Sequence, residues 1–353
     1  MENLRVLILG KGRVGQAVAY YLKKFKAAKK TAFFDNERQI KNFDILIGAL
    51  PSKVSEKGLK LALKYKKDLI DVSAVAIPFY LKHKKEIFKK GIKVIPGCGF
   101  SPGLVNLIVG FEWQNFDKIE NIEIEAGTLP AGTNFFFPFT WCFEDLIEEH
   151  LEGFSGYKEE RLKDIGEGEE NKFSSSPFAN AREGEENKFS SSPFVKTREY
   201  ESYFIEEWNS LLYTFKSQNI SFRVIRPIGF FHFFQYLKNY GFFKKENISF
   251  TKKILTEGKK DNITLGLVKI SGICQQKKKE VLWRIFSFAK KQEKLNSMQK
   301  ITALVPVIVF NLISQNKIQN SGISFLEEIG KNKELFQEIL IIIRKEGILI
   351  KRK

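Results

Sequence analysis

The chain has 353 residues, 43% hydrophobic and 28% charged, with 58 Lys and Arg against 41 Asp and Glu for a net charge of +17. That length suits two ordinary globular domains; three scattered cysteines, Cys98, Cys142 and Cys274, exclude a disulfide framework and fit a reducing, cytoplasmic setting. The best apolar runs, Ala303–Ile313 and Ile339–Ile343, read as core segments, so neither a membrane span nor a secretory leader is expected.

His83, His150 and His232 lack cysteines or carboxylates at ligand spacing, and no metal is expected. The positive charge raises nucleic acid as a partner. The lysines, however, are spread along helical faces (Lys82–Lys93) and loops (Lys277–Lys279) without a recognition motif, and that reading is set aside.

In chain order, Leu4–Leu9 is an apolar run of strand length. Gly10-Lys11-Gly12-Arg13-Val14-Gly15 follows at once, and Ala17, Val18, Tyr21, Leu22 and Phe25 then recur at helical spacing. Strand, glycine turn and helix are the context in which such a motif binds a dinucleotide. Gly10 permits the tight turn, Gly12 lets the backbone approach a pyrophosphate, and Gly15 lets the helix pack on the strand. The free N–H groups at the helix start, around Arg13 and Val14, hold the phosphates. Thr31–Phe34 is a second strand ending at Asp35, 20 residues after Gly15. An acid there receives the ribose hydroxyls of NAD and repels the 2′-phosphate of NADP, so NAD is expected over NADP, with Arg38 close by.

Alternation continues through the strand Phe43–Leu50, the helix Ser55–Tyr65, the strand Leu69–Val72, the helix Pro78–Lys90 and the strand Ile92–Ile95. This predicts an α/β fold, a Rossmann-type doubly wound parallel sheet covered on both faces. Leu50, Pro51, Asp71 and Ser73 fall at strand C-terminal ends and are expected to line the cofactor cleft. Between Asp35 and Phe43 there is too little chain for a helix, a strand and a return, so the third strand, an edge strand in the order 3-2-1-4-5-6, is expected to be missing. Tyr80 and Lys84 have the Tyr-x-x-x-Lys spacing of an acid–base pair, but the spacing arises easily in a lysine-rich chain.

Farther along, residues 167–182 (EGEENKFSSSPFANAR) recur at 183–198 (EGEENKFSSSPFVKTR) with a period of 16. These polar, Ser-, Gly- and Pro-containing units cannot form a core and are expected to be a disordered insertion in a surface loop. Around them a second, α+β domain is expected, with strand candidates Ile122–Ala126, Ser221–Ile225 and Ile263–Gly272 and a Phe-rich helix at Phe230–Phe243.

Gly97–Gly110 reads GCGFSPGLVNLIVG. With the preceding alternation, it resembles the saccharopine dehydrogenase-like family, where a glycine, an aromatic or aliphatic residue, a short spacer and Pro-Gly open the helix that leaves the nucleotide domain. Gly99, Pro102, Gly103 and Asn106 match that pattern. Glu125–Pro130, Phe143–His150, Ile225–Gly229, Phe233–Phe242, Asn296–Leu312 and Gly322–Ile329 then match in order. The resemblance implies a nucleotide domain of residues 1–118 completed by 296–353, a substrate and dimerisation domain of residues 119–295, and a homodimer. It implies NAD(P)-dependent hydride transfer at a carbon bearing nitrogen in a small amino-acid substrate, the members it is most similar to being lysine 6-dehydrogenase and then saccharopine reductase. Arg226, whose fork suits an α-carboxylate, is implied to bind substrate together with Cys98, Gly99, Pro102 and Asn106. No catalytic acid or base is assigned. The chain departs from the family in three places: Tyr203–Leu212 has no glycine where a Gly- and Ser/Thr-rich substrate loop is usual, Phe230 replaces a frequent histidine, and Cys98 replaces an often acidic residue. These departures keep open an alternative, a noncatalytic NAD-binding regulator or scaffold.

Overall fold

The computed structural model describes residues 4–131, 142–151, 200–204, 209–215, 219–227, 229–256 and 261–353; the tandem repeat at 167–198 lies outside the described residues. Twelve strands run in chain order among the described residues: β1 (Arg5–Leu9), β2 (Lys30–Phe33), β3 (Ile45–Gly48), β4 (Asp68–Asp71), β5 (Lys93–Ile95), β6 (Lys118–Pro130), β7 (Tyr200–Phe204), β8 (Asn219–Pro227), β9 (Asn262–Cys274), β10 (Lys277–Ala289), β11 (Gly322–Ile323) and β12 (Leu349–Arg352). They form two six-stranded sheets.

The first sheet has the order β11-β5-β4-β3-β1-β2 and is parallel throughout. It is the Rossmann-type doubly wound sheet that the alternation predicts. Strands buried on both faces read as near-continuous apolar runs, and β3 (ILIG) and β1 after its leading Arg5 (RVLIL) do. Between β2 and β3 the chain makes only the short 3₁₀ turn Glu37–Asn42, so the third strand is absent and β2 is an open edge. The opposite edge is completed by β11, from the last tenth of the chain.

One expected helix is two. Instead of Pro78–Lys90, the chain forms Ile77–Lys82 and Lys84–Lys89. The cause lies at His83, whose backbone N–H donates to Tyr80, three residues back, while its ring Nδ1 meets the Phe79 carbonyl at 2.8 Å. The side chain thus competes for the carbonyl that the next helical turn needs.

The second sheet has the mixed order β12-β10-β9-β6-β8-β7. The three candidate strands are the central parts of β6, β8 and β9; the sequence reading missed β7, β10 and β12. In β10 the leading Lys277-Lys278-Lys279 hides a clean period of two, with Val281, Trp283, Ile285, Ser287 and Ala289 all buried. The turn that joins β9 to β10 places Gln275 and Gln276 at φ of 50° and 61°, a left-handed two-residue reversal that matches strand twist.

The sheets share one core. Ile122, Ile124, Val268 and Ile270 of the second pack in one cluster with Val105, Leu107 and Ile108 of helix Leu104–Trp113, with Ile8 of the first and with Val18 of helix Arg13–Lys24. The 18-residue helix Ser297–Ser314 is long and apolar enough, by length and composition, to cross a membrane, but it is 72% buried within the fold and supplies core residues from Ile301 to Ile313.

Candidate active site

Local geometry explains each glycine of the amino-terminal turn. Gly10 has φ +122°, and a Cβ there would lie 2.1 Å from the Ala49 carbonyl oxygen at the end of β3. At Gly15 a Cβ would lie 2.1 Å from the Gly10 carbonyl oxygen, so the helix Arg13–Lys24 sits against the turn with no room for a methyl group. Gly12, the helix N-cap, differs from both: its Cβ would meet nothing within 4 Å. Lys11, Gly12 and Arg13 are exposed, Val14 is half-buried, and Gln299 Nε2 donates to the Arg13 carbonyl at 3.0 Å. The result is a helix N-terminus facing open space, with its first N–H groups unclaimed within the helix, as an anion requires. Asp35 is exposed just past β2, the strand beside β1, and its carboxylate accepts from Asn36 Nδ2 at 3.1 Å. The turn and Asp35 together fit a dinucleotide: space for the pyrophosphate, and an acid beside it for a ribose.

The remaining strand ends are placed differently. Leu50 and Pro51 follow β3 at the surface of the crevice, and Leu50 N–H donates to Ser73 Oγ at 2.9 Å. Asp71 turns inward. Its Oδ1 accepts from Ser73 N–H and its Oδ2 from Tyr80 Oη, both at 2.8 Å, and Gly48 and Gly58 close over it. Burial raises its pKa, against the opposing hydrogen bonds from Ser73 and Tyr80. Asp71 therefore shapes the crevice through Ser73 and offers a ligand no free oxygen. The same bond removes Tyr80 from the Tyr-x-x-x-Lys reading, since its hydroxyl is buried on Asp71 while Lys84 is exposed.

Between β5 and helix Leu104–Trp113, the loop from Gly97 to Gly103 carries residues expected to bind substrate. Gly99 N–H donates to the Pro102 carbonyl, and Gly103, at φ +139°, lies where a Cβ would be 1.9 Å from the Gly99 oxygen. Cys98 and Asn106 do not face the crevice. Cys98 is a fully buried core thiol whose pKa is raised by burial, with its N–H on the Asp71 carbonyl. Asn106 is the hub of a buried polar knot that the sequence reading did not identify. Its Oδ1 accepts from Gly103 N–H at 3.0 Å, and its Nδ2 donates to Asn209 Oδ1, Ser210 Oγ and Glu327 Oε2 at 2.7, 3.0 and 3.1 Å. Ser210 and Thr214 hydroxyls donate to Glu327 as well, at 2.9 and 2.7 Å. Burial raises the Glu327 pKa although these hydrogen bonds favour the ion. The knot joins three segments more than 100 residues apart in sequence.

Arg226 lies at the end of β8, 1% exposed, with Nη1 donating to the Ile225 carbonyl at 3.0 Å and the guanidinium 5.6 Å over the Phe230 ring. Against the same ring, 5.1 Å away, stands the imidazole of His150 from helix Phe143–Leu151. Its Nδ1 is 2.8 Å from the Leu146 carbonyl. Burial first, then the Arg226 charge, pushes its pKa down to about 3. This helix also reaches the cofactor side. Asp145 Oδ1 accepts from Ser52 N–H and Oγ at 3.2 and 2.7 Å, Glu148 Oε2 accepts from Ser52 Oγ at 3.0 Å, and Lys53 pairs with Glu148 at 2.7 Å. A clip from the second-sheet side thus fastens directly after Leu50 and Pro51. Among the described residues, no group of three or more His, Cys, Asp or Glu could hold a metal ion.

The Saccharopine dehydrogenase C-terminal domain profile matches residues 99–348, and the chain belongs to the saccharopine dehydrogenase-like family. The fold is similar to that of apo saccharopine dehydrogenase (L-Glu forming) from Saccharomyces cerevisiae, with 14% identity, 99% of each chain covered and a TM-score of 0.66. It is also similar to the homospermidine synthase of Legionella pneumophila solved with NAD, with 12% identity, 99% of this chain and 91% of that one covered, and a TM-score of 0.56. A comparison with curated proteins finds no match.

Proposed function

We propose that the chain is an NAD(P)-linked oxidoreductase acting at a carbon–nitrogen bond of an amino acid, with NAD preferred, in the manner of a lysine 6-dehydrogenase or a saccharopine reductase. The observation that carries this reading is the open Gly12 turn beside Asp35, which fits a dinucleotide. A buried arginine, Arg226, stands on the Phe230 ring together with His150 of helix Phe143–Leu151, and that helix is clipped by Asp145 and Glu148 to Ser52, just past β3. Family membership and the saccharopine dehydrogenase fold support it.

In this reading the helix start at Gly12–Val14 binds the pyrophosphate, Asp35 binds the adenosine ribose, and Leu50, Pro51 and the Ser73 loop border the nicotinamide end. A bound nicotinamide would supply the hydride chemistry. Arg226 orients the substrate by its carboxylate, and the clipped helix Phe143–Leu151 excludes water from the reacting carbon. A cytoplasmic homodimer belongs to the same proposal. The alternative, a noncatalytic NAD-binding regulator, is favoured by one observation: Asn209 and Ser210, from the segment where the family's glycine-rich substrate loop is expected, are spent in the Glu327 knot.

The test is calorimetry with NAD and NADP, then NADH formation with lysine, saccharopine and related diamino acids, repeated on Arg226→Ala. NAD binding with turnover that R226A abolishes is the expected result. NAD binding with no turnover on any amino acid transfers the case to the regulator, and no binding of either nucleotide removes both.

A further inference from the structure

His150 takes no part in the dinucleotide turn or in the clip to Ser52. It is 4% exposed, and its ring lies among Phe230 and Phe234, 5.1 Å from each. A carbonyl oxygen only accepts, so the Nδ1 that meets Leu146 must carry the proton. That fixes the tautomer. Nε2 is then a bare lone pair, and among the described residues this buried atom has no hydrogen-bond partner. A buried acceptor left unpaired costs free energy, which makes the position a claim on a donor from elsewhere. The depressed pKa agrees with this: the ring stays neutral beside Arg226 and keeps its lone pair at any physiological pH.

The surroundings say which donor. Arg226 and His150 share the Phe230 ring, one by its guanidinium and one by its imidazole. A guanidinium takes a carboxylate, and a neutral Nε2 takes an N–H. A cation that pairs with carboxylate beside an acceptor that pairs with ammonium matches an α-amino acid head group, whose two charges sit on one carbon. Glu148, two residues before His150 on the same helix, accepts from Ser52 just past β3, so the helix that carries His150 is fastened beside the dinucleotide turn's sheet.

We infer that His150 Nε2 accepts a hydrogen bond from the α-ammonium group of a substrate whose carboxylate is held by Arg226, and that this residue selects α-amino acids over plain carboxylates. The inference rests on the oxidoreductase reading and names a specificity residue for it. His150 is a binding residue here, not an acid or base.

The experiment measures binding by calorimetry in saturating NAD. The probes are L-lysine and L-glutamate, each paired with the same molecule lacking the α-amine, 6-aminohexanoate and glutarate. Wild type is expected to favour the amino acids. His150→Phe is expected to lose about tenfold or more in affinity for them and almost nothing for the des-amino partners. His150→Gln, which offers an amide oxygen as acceptor, should recover most of the loss. Histidine-selective ¹⁵N NMR of the wild type gives a second readout that needs no variant: the Nε2 resonance of His150 should shift with the amino acids and hold still with the des-amino partners. Equal loss for both members of a pair, or an unmoved Nε2 resonance, overturns the inference. If amino acids bind and turn over while His150 is indifferent, only this inference falls. If the wild type binds neither amino acid, the substrate reading falls with it.

Discussion

The glycine turn and the Glu327 knot solve opposite problems. The turn is built from residues within six positions of one another and works by leaving side chains out, so that backbone can approach backbone and, at Gly12, a ligand can approach the chain. The knot is built from Asn106, Asn209, Ser210, Thr214 and Glu327 and works by filling every buried donor with an acceptor. On the proposed function one is read by the nucleotide; the other is read only by the fold. The difference separates residues that serve binding from residues that serve shape, a distinction that motif matching does not make.

The largest expected effect tests the turn. Gly15→Ala places a methyl group 2.1 Å from a backbone oxygen and is expected to cost at least about 3 kcal/mol of stability, seen as a lower denaturant midpoint. Gly12→Ala meets no protein atom and should leave that midpoint unchanged, yet weaken NAD binding by about tenfold or more because the methyl group occupies the space of the pyrophosphate. If the two variants behaved alike, the assignment of separate roles to these glycines would be wrong.

The knot is expected to respond in the reverse sense. Glu327→Ala strands the donors of Asn106, Ser210 and Thr214 and should cost about 3 kcal/mol, while the NAD affinity of the folded fraction, measured by fluorescence titration, stays at the wild-type value. A cofactor defect as large as the stability defect would place the knot in the binding site.

Asp71 divides the same way, and pH exposes it. Its folded pKa is raised, so its contribution to stability is complete below the unfolded value of about 3.9 and is lost as pH rises through the folded pKa. As pH rises, the wild type increasingly carries the cost of a buried charge. Asp71→Asn keeps an acceptor for Ser73 N–H and removes the charge. It is expected to equal or exceed wild-type stability at pH 7, with the advantage shrinking as pH falls. Asp71→Ala, which leaves both Ser73 N–H and Tyr80 Oη without that partner, should cost about 2 kcal/mol at pH 5 and less as pH rises, because the variant no longer carries the titrating group. Chemical denaturation from pH 5 to 8 tests both; an Asn variant less stable at pH 7 than at pH 5, relative to wild type, reverses the sign and refutes the argument.

What the sequence makes legible follows from this division. The parallel sheet, its missing third strand and the turn are local: an apolar run, glycines at fixed spacing, and a count of residues between Asp35 and Phe43. The knot and the His150–Arg226 pair bring together residues far apart in sequence, and the inward turn of Asp71 rests on a hydrogen bond to Tyr80, nine residues on, that no pattern in the chain announces. Asn106 matched a family pattern, and Cys98 occupied a position within it, without either pattern saying that these side chains face the core. Strand β10 was hidden for a different reason, since three leading lysines mask its period-two burial.

The smallest expected effect falls where the two regions meet. Helix Phe143–Leu151 is fastened to the crevice by Ser52 bonds to Asp145 and Glu148 and by the Lys53–Glu148 pair, in which the lysine side chain is 75% exposed. The exposed pair should contribute little, so Lys53→Ala is expected to change stability by less than about 0.5 kcal/mol. Asp145→Ala removes the acceptor for Ser52 N–H and one for its hydroxyl, and about 1 kcal/mol is expected. Because the clip holds the helix that carries His150 and leaves the Gly12 turn untouched, the Asp145 variant should keep NAD affinity and weaken amino-acid binding about threefold. Equal weakening of both ligands would mean that the clip also orders the Gly12 turn, and the turn and the clipped helix could no longer be treated as separate devices.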